Sequence, residues 1–315
     1  MKSHLTGTFP RPEELVRVTR AFERHKLEKE ELDEATKRAI IHLLDLQKKA
    51  SLDYIVDGQL NWQDSFRPFS QICSGIRAGA LTRWYDNNTF YRQPIIAEKV
   101  RYVGTGLKEY FRYDLIPSDA AKKAILPGPY TFAYSSQRPW YNTFADLVDD
   151  LAHAFHDTCR RLSEFGYTYF QFDEPALTFH KTSKDELTIA KNAFEILGSI
   201  PGAKTCLQTY FGDVTPLLES LLEFKTDGLG IDFYATSMAS IQNYRFDKEL
   251  GCGCVDGRNS LLESPRDLIN LLQKVKSFAD EMSVCPNCAL EFLPYSVAEK
   301  KVQLLAETKT QVDQS

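Results

Sequence analysis

The feature that most limits how this chain folds is a pattern repeated along its length. A short run of β-forming residues ends in a polar or Gly/Pro-rich turn, and a helical stretch follows. Such alternation argues for a parallel sheet with helical crossovers. Runs near residues 5, 54, 102, 125, 170, 207, 230 and 253 come to about eight, the number a (β/α)8 barrel needs. A doubly wound sheet is the rival. The barrel is favoured because polar or charged residues follow nearly every run, and in such barrels the loops after the strands build one site. At 315 residues with 43% apolar content, the chain is long for one ordinary domain and normal for a barrel. The expected fold class is therefore α/β, a single (β/α)8 TIM barrel spanning residues 1–315, with extended loops at the C-terminal face of the strands.

The run with the sharpest chemistry is Tyr167–Leu177, YTYFQFDEPAL. Aromatic residues suit a buried pleated surface, and Pro175 cannot donate to a ladder, so the strand stops at Asp173 and Glu174. Side chains alternate, which puts Tyr169, Gln171 and Asp173 on one face and Phe170, Phe172 and Glu174 on the other. Both acids are candidate catalytic groups, for acid or base work, and the plain alternative is that one of them caps the next turn.

Other strand ends add candidates. In GTFPRPEEL, Thr8 lies in a proline-stiffened loop, and Arg11 either meets a carboxylate or pairs with Glu13 or Glu14. After Leu52–Val56, the turn DGQLNWQD brings Gln59 to the rim and offers Trp62 as an aromatic wall or as core. Thr82–Pro94, TRWYDNNTFYRQP, is too rich in rings and amides for an ordinary hairpin, and it reads as a loop closing over a site with Asn88 and Tyr91. Thr131 follows a Pro-Gly-Pro turn, and Tyr210 ends the run TCLQTYF. Carboxylates, amides and hydroxyls predominate, a composition that suits an amino-acid-like small molecule. Apolar spacing marks helices over Glu28–Ala50 and Phe144–Glu164, the latter explaining Cys159 as a buried small residue.

A net charge of −5 without long runs of one sign makes nucleic acid and anionic membrane poor partners. No stretch reaches transmembrane length and no signal segment opens the chain, so a cytoplasmic protein is expected. Seven cysteines fit a reduced compartment. Cys252, Cys254, Cys285 and Cys288 approach a zinc-ligand count, against the simpler reading of inward-facing core thiols.

GTFPRP, DGQLNWQD, DNNTFYRQP, LPGPYTF, FDEPAL, TYFGD, VDGRN and PNCALEFLP together resemble, in order and over nearly the whole chain, the cobalamin-independent methionine synthase family. That family builds its enzyme from two related barrels, and this chain has the length of one and looks more like the amino-terminal one. The resemblance implies methyl transfer to the homocysteine thiol, from 5-methyltetrahydrofolate or another donor, in methionine biosynthesis. It implies that Asp173 holds the substrate ammonium and that Thr8 and its loop contact the amino-acid end. A zinc site is implied through Cys288 and Asp232, but Leu207 and Thr209 stand where the family's catalytic half has His-x-Cys, so the ligand set is incomplete. No nucleotide or flavin cofactor is expected. The alternatives are a metal-free partner barrel docking on a separate catalytic subunit, and a binder of another small amino acid.

Overall fold

The computed structural model describes residues 1–314. In chain order the strands are β1 (Lys2–Ser3), β2 (Cys73–Arg83), β3 (Phe90–Tyr102), β4 (Lys122–Pro127), β5 (Tyr167–Asp173), β6 (Lys204–Gln208), β7 (Gly228–Asp232), β8 (Glu249–Val255) and β9 (Met282–Pro286). Seven of them form one sheet in the order β1-β9-β8-β7-β6-β5-β4, with every pairing parallel. β4 and β6–β9 are buried along almost their whole length, as strands covered by helical crossovers must be.

Leu52–Val56, read from sequence as a strand, lies against both edges of this sheet. Asp53 N donates to Ser3 O at 3.0 Å on the β1 side. On the β4 side Ile55 N donates to Ala121 O, and Lys123 N donates to Ile55 O, both at 2.9 Å.

The run near residue 102 belongs elsewhere. It ends β3, which pairs antiparallel with β2 in a separate two-stranded ribbon, and β9 takes its place in the parallel sheet. The reading of Thr82–Pro94 as something other than a hairpin is corrected with it: Thr82 pairs with Tyr91, Arg83 with Phe90, and Trp84 N donates to Thr89 O at 2.8 Å across the tip. The rings crowd there because Phe66, Trp84 and Tyr91 pack edge to face with centroids 5.0–5.6 Å apart.

The helices follow their sequence signals. Lys29–Lys49 opens on a capping box between Glu28 and Glu31, and Lys184–Leu197 opens on one between Ser183 and Glu186. Phe144–Ser163 is capped by Thr143 and buries Leu147, Leu151, Phe155, Cys159 and Leu162 along one stripe. Among the described residues no helix is long and apolar enough to cross a membrane.

The inner face of the sheet carries polar groups. Glycines make room for them: a Cβ at Gly230 would stand 1.9 Å from Gln208 Oε1. Deeper in, buried Lys123 donates to His4 Nδ1 at 2.8 Å and Leu5 O at 3.0 Å, with its Nζ 5.1 Å from the Tyr169 ring centroid. Burial pushes the Lys123 ammonium down to about 8 and holds His4 well below its ordinary value.

Candidate active site at the mouth of the parallel sheet

Asp173 ends β5, where the proline two residues on stops the ladder. Gln171, one inward step below, donates from Nε2 to Asp173 Oδ1 at 2.6 Å, and the Tyr210 hydroxyl donates to Oδ2 at 3.4 Å. Burial still pushes the Asp173 carboxyl up to about 7, against these two donors and the Lys123 charge. Across the recess Thr8 Oγ1 donates to Gln59 Oε1 at 2.8 Å, and Gln59 Nε2 donates to Ile125 O at 2.9 Å. Thr8, Gln59, Asp173 and Tyr210, four of the residues singled out from sequence, thus line one recess.

The ribbon tip roofs it. Trp84 lines the recess, and Tyr85 packs on Phe211 with ring centroids 5.7 Å apart. Both Tyr85 and Phe211 have positive φ, 49° and 69°, a conformation that costs a bulky residue energy. Arg258 donates to both oxygens of Asp86 at 3.2 Å and lies 5.0 Å over the Phe211 ring, tying the tip to the loop after β8.

Glu174 faces the other way. Fully buried, it accepts from Tyr130 N at 3.0 Å and Thr131 N at 2.7 Å, at the first turn of helix Pro129–Tyr134. Thr131 Oγ1 in turn accepts from Ala176 N at 3.2 Å. Glu174 and Thr131 therefore lock two neighbouring strand ends together and do not line the recess, which realises the capping alternative. Burial pushes Glu174 up to about 7.

The other expected contacts fall outside as well. Arg11 donates to the carbonyls of Leu60 and Trp62 and bonds neither Glu13 nor Glu14. Trp62 is core, its indole donating to Tyr110 O at 2.8 Å. Tyr91 is buried in the ribbon's ring cluster with its hydroxyl on Ser135 O, and Asn88 is exposed at the tip. Sequence reasoning singled out none of Trp84, Phe211, Glu291 and Phe292, all of which line the recess. Each lies inside a quoted motif, so the signal was present, but the ring or acid was not separated from its neighbours. Burial pushes Glu291 up to about 7, against the opposing charge of Arg11.

The residues do not fit a zinc ion. Asp232 spends its carboxylate on the backbone: Oδ2 accepts from Phe211 N, and Oδ1 accepts from Tyr234 N, Ala235 N and the Asn287 amide. Leu207 is core, and the Thr209 hydroxyl donates to Gly230 O at 3.1 Å. The buried Cys288 thiol donates to Ala289 O at 3.6 Å. Cys252 and Cys254 sit in the apolar core, while Cys285 faces Lys123 and Cys206. Among the described residues no group of three His, Cys, Asp or Glu side chains is placed to hold a metal.

Residues 73–280 match the family described as "Cobalamin-independent synthase, N-terminal domain". A methionine synthase of Saccharolobus solfataricus is 28% identical over 96% of this chain and 91% of its own length. One from Sulfurisphaera tokodaii is 28% identical over 94% and 88%. Among solved structures, a B12-independent methionine synthase from a Shewanella species, in complex with selenomethionine, superposes with a TM-score of 0.83 at 19% identity, covering 99% of this chain and 97% of that one. With two thirds of its length matched by the family and the expected strand-end motifs gathered at one mouth, the chain belongs to the cobalamin-independent methionine synthase family, on the side of its amino-terminal domain.

Proposed function

We propose that this protein serves methyl transfer to the homocysteine thiol in methionine biosynthesis, and that its part is to bind an amino-acid-like molecule at the mouth of a closed (β/α)8 barrel formed by residues 1–315. The observation that carries this is the convergence of Thr8, Gln59, Asp173 and Tyr210, from four separate motifs, on one recess. Asp173 takes the ligand ammonium: an arriving cation compensates the burial that otherwise favours its protonated form. Closure of the barrel rests on the hydrogen bonds that Asp53 and Ile55 make to its two edges.

Thiol activation by zinc is not assigned to this chain. With Asp232 committed to backbone donors and Leu207 and Thr209 in place of ligands, a separate catalytic barrel of the same family, working in the cytoplasm, supplies that step. The methyl donor, a folate or another carrier, is shared between them.

Calorimetric titration with L-methionine and L-homocysteine tests the reading. Saturable binding by the wild type, weakened about tenfold or more in Asp173→Asn, supports it. Equal affinity in the two proteins, or no binding of either amino acid, would sink it.

A further inference from the structure

The recess as it stands is closed: its free volume is about 20 Å³, room for little more than one water molecule. An amino acid enters only after part of the wall moves. Much of that wall is braced. Trp84 packs against Phe66 and Tyr91, and its N–H donates to Thr89 O. Tyr210 bonds Asp173 through its hydroxyl, and its carbonyl accepts from the Thr178 hydroxyl at 2.9 Å. Gln59 is tied to Thr8 and to Ile125 O. The half-buried ring of Phe211 has no such tie. Its backbone is fixed, with the N–H donating to Asp232 Oδ2 at 3.1 Å, but its side chain rests on Tyr85, Tyr210 and Phe292 by ring contact, with centroids 4.6–6.2 Å apart. Over this ring lies Arg258, 5.0 Å from its centroid, and the same guanidinium bonds both oxygens of Asp86 at the ribbon tip.

We propose that the Phe211 ring is the gate of the recess and that the Arg258–Asp86 ion pair is its latch. The inference rests on the amino-acid-binding reading above and deepens it by naming how that ligand is admitted. One guanidinium does two jobs: it sits on the ring face as a cation and is itself held by the ribbon tip. Releasing Asp86 therefore loosens Phe211. Positive φ at both Tyr85 and Phe211 belongs to the same device, because two bulky residues keep such a backbone only where their surroundings hold them there. The holding contact is at the surface, with the Arg258 side chain 36% exposed and that of Asp86 55% exposed. An ion pair so exposed changes an equilibrium by no more than about fivefold and weakens with salt. It biases the ring toward the closed position without locking it there, and rotation of one side chain is fast beside movement of a loop.

Tryptophan fluorescence tests this without any ligand. Of the three indoles, Trp62 is core, Trp84 lines the recess and Trp140 is exposed, so Trp140→Phe leaves a background in which quenching by acrylamide, a neutral solute, reports access to Trp84. Asp86→Asn and Arg258→Met are each expected to raise the quenching constant about twofold to fivefold, and Phe211→Ala to raise it at least as far. High sodium chloride should raise it where the latch is intact and leave Arg258→Met unchanged. Stopped-flow mixing with L-methionine then gives an association rate that rises by a similar factor in Asp86→Asn and Arg258→Met. Both of these substitutions lie at the surface, so the test survives if Phe211→Ala does not fold. Quenching that neither of them changes overturns the inference whatever methionine does, and methionine binding then leaves the amino-acid reading standing. Stronger quenching with an unchanged association rate also overturns it, since entry then runs past Thr8 and Glu291, which line an open neighbouring groove as well. Stronger quenching without methionine binding keeps the gate and removes the amino-acid reading alone.

Discussion

Asp173 sits where stability and binding pull in opposite directions. Its carboxyl titrates near 3.8 when free and is pushed up to about 7 in the fold, with Lys123, Gln171 and Tyr210 facing it on the favourable side and Glu174 adjoining it. A folded carboxyl that keeps its proton where the unfolded one has lost it favours the fold at acid pH. That contribution is lost as pH rises from about 4 to about 7 and stays a penalty above. Asp173→Asn is therefore expected to raise stability at pH 8 by up to about 4 kcal/mol, the equivalent of moving the carboxyl from 3.8 to about 7, while weakening ligand binding. Melting curves at pH 4.5 and pH 8 check this, and a gain that does not grow with pH counts against it. Asp173 was legible because a strand running into an acid and a proline points the side chain out of the ladder. Trp62 and Tyr91 were not, because alternation says which face a ring occupies and nothing about which distant segment covers that face. Here Tyr110, Phe66 and Ser135 cover them.

At the scale of elements, the strand ends after β4 and β5 act as a unit. Glu174 satisfies two N–H groups at the start of helix Pro129–Tyr134, and Gly128 leaves it the room, since a Cβ there would come within 2.1 Å of Glu174 Cδ. Gly128→Ala is expected to displace the carboxylate and strand two buried donors, at a cost of roughly 2–4 kcal/mol. Chemical denaturation measures it, and a loss under about 0.5 kcal/mol would show that the turn relaxes freely. The helices were read well because an apolar stripe is a local signal, as along Leu147–Leu162. The β2–β3 ribbon was misplaced because its pairing is with itself. A run such as Phe90–Tyr102 looks alike in sequence whether its neighbour is a parallel strand or its own antiparallel partner.

For the whole molecule, the repeated strand–turn–helix pattern told the architecture, while metal chemistry was decided by contacts far apart in sequence, such as Asn287 on Asp232. Purified protein is expected to carry well under one zinc per chain, with or without homocysteine. Elemental analysis giving a full equivalent, lost in Cys288→Ala, would reverse that conclusion. The segment Leu52–Val56 has a consequence of its own. It touches both edges of the parallel sheet through few hydrogen bonds, whereas β4 and β5 are zipped together over six residue pairs. It is the most sparsely bonded stretch along the sheet edges, and such a stretch opens first. Amide protons of Asp53, Ile55 and Lys123 should exchange with deuterium well before those of Phe170 and Phe172, at an opening free energy below that of global unfolding. Gln59, a few residues beyond, bonds Thr8, so each opening loosens one side of the recess and leaves Asp173 on the intact side. Ligand that grips Thr8 and Asp173 together would then act as a stitch, slowing exchange at that stretch from several residues away.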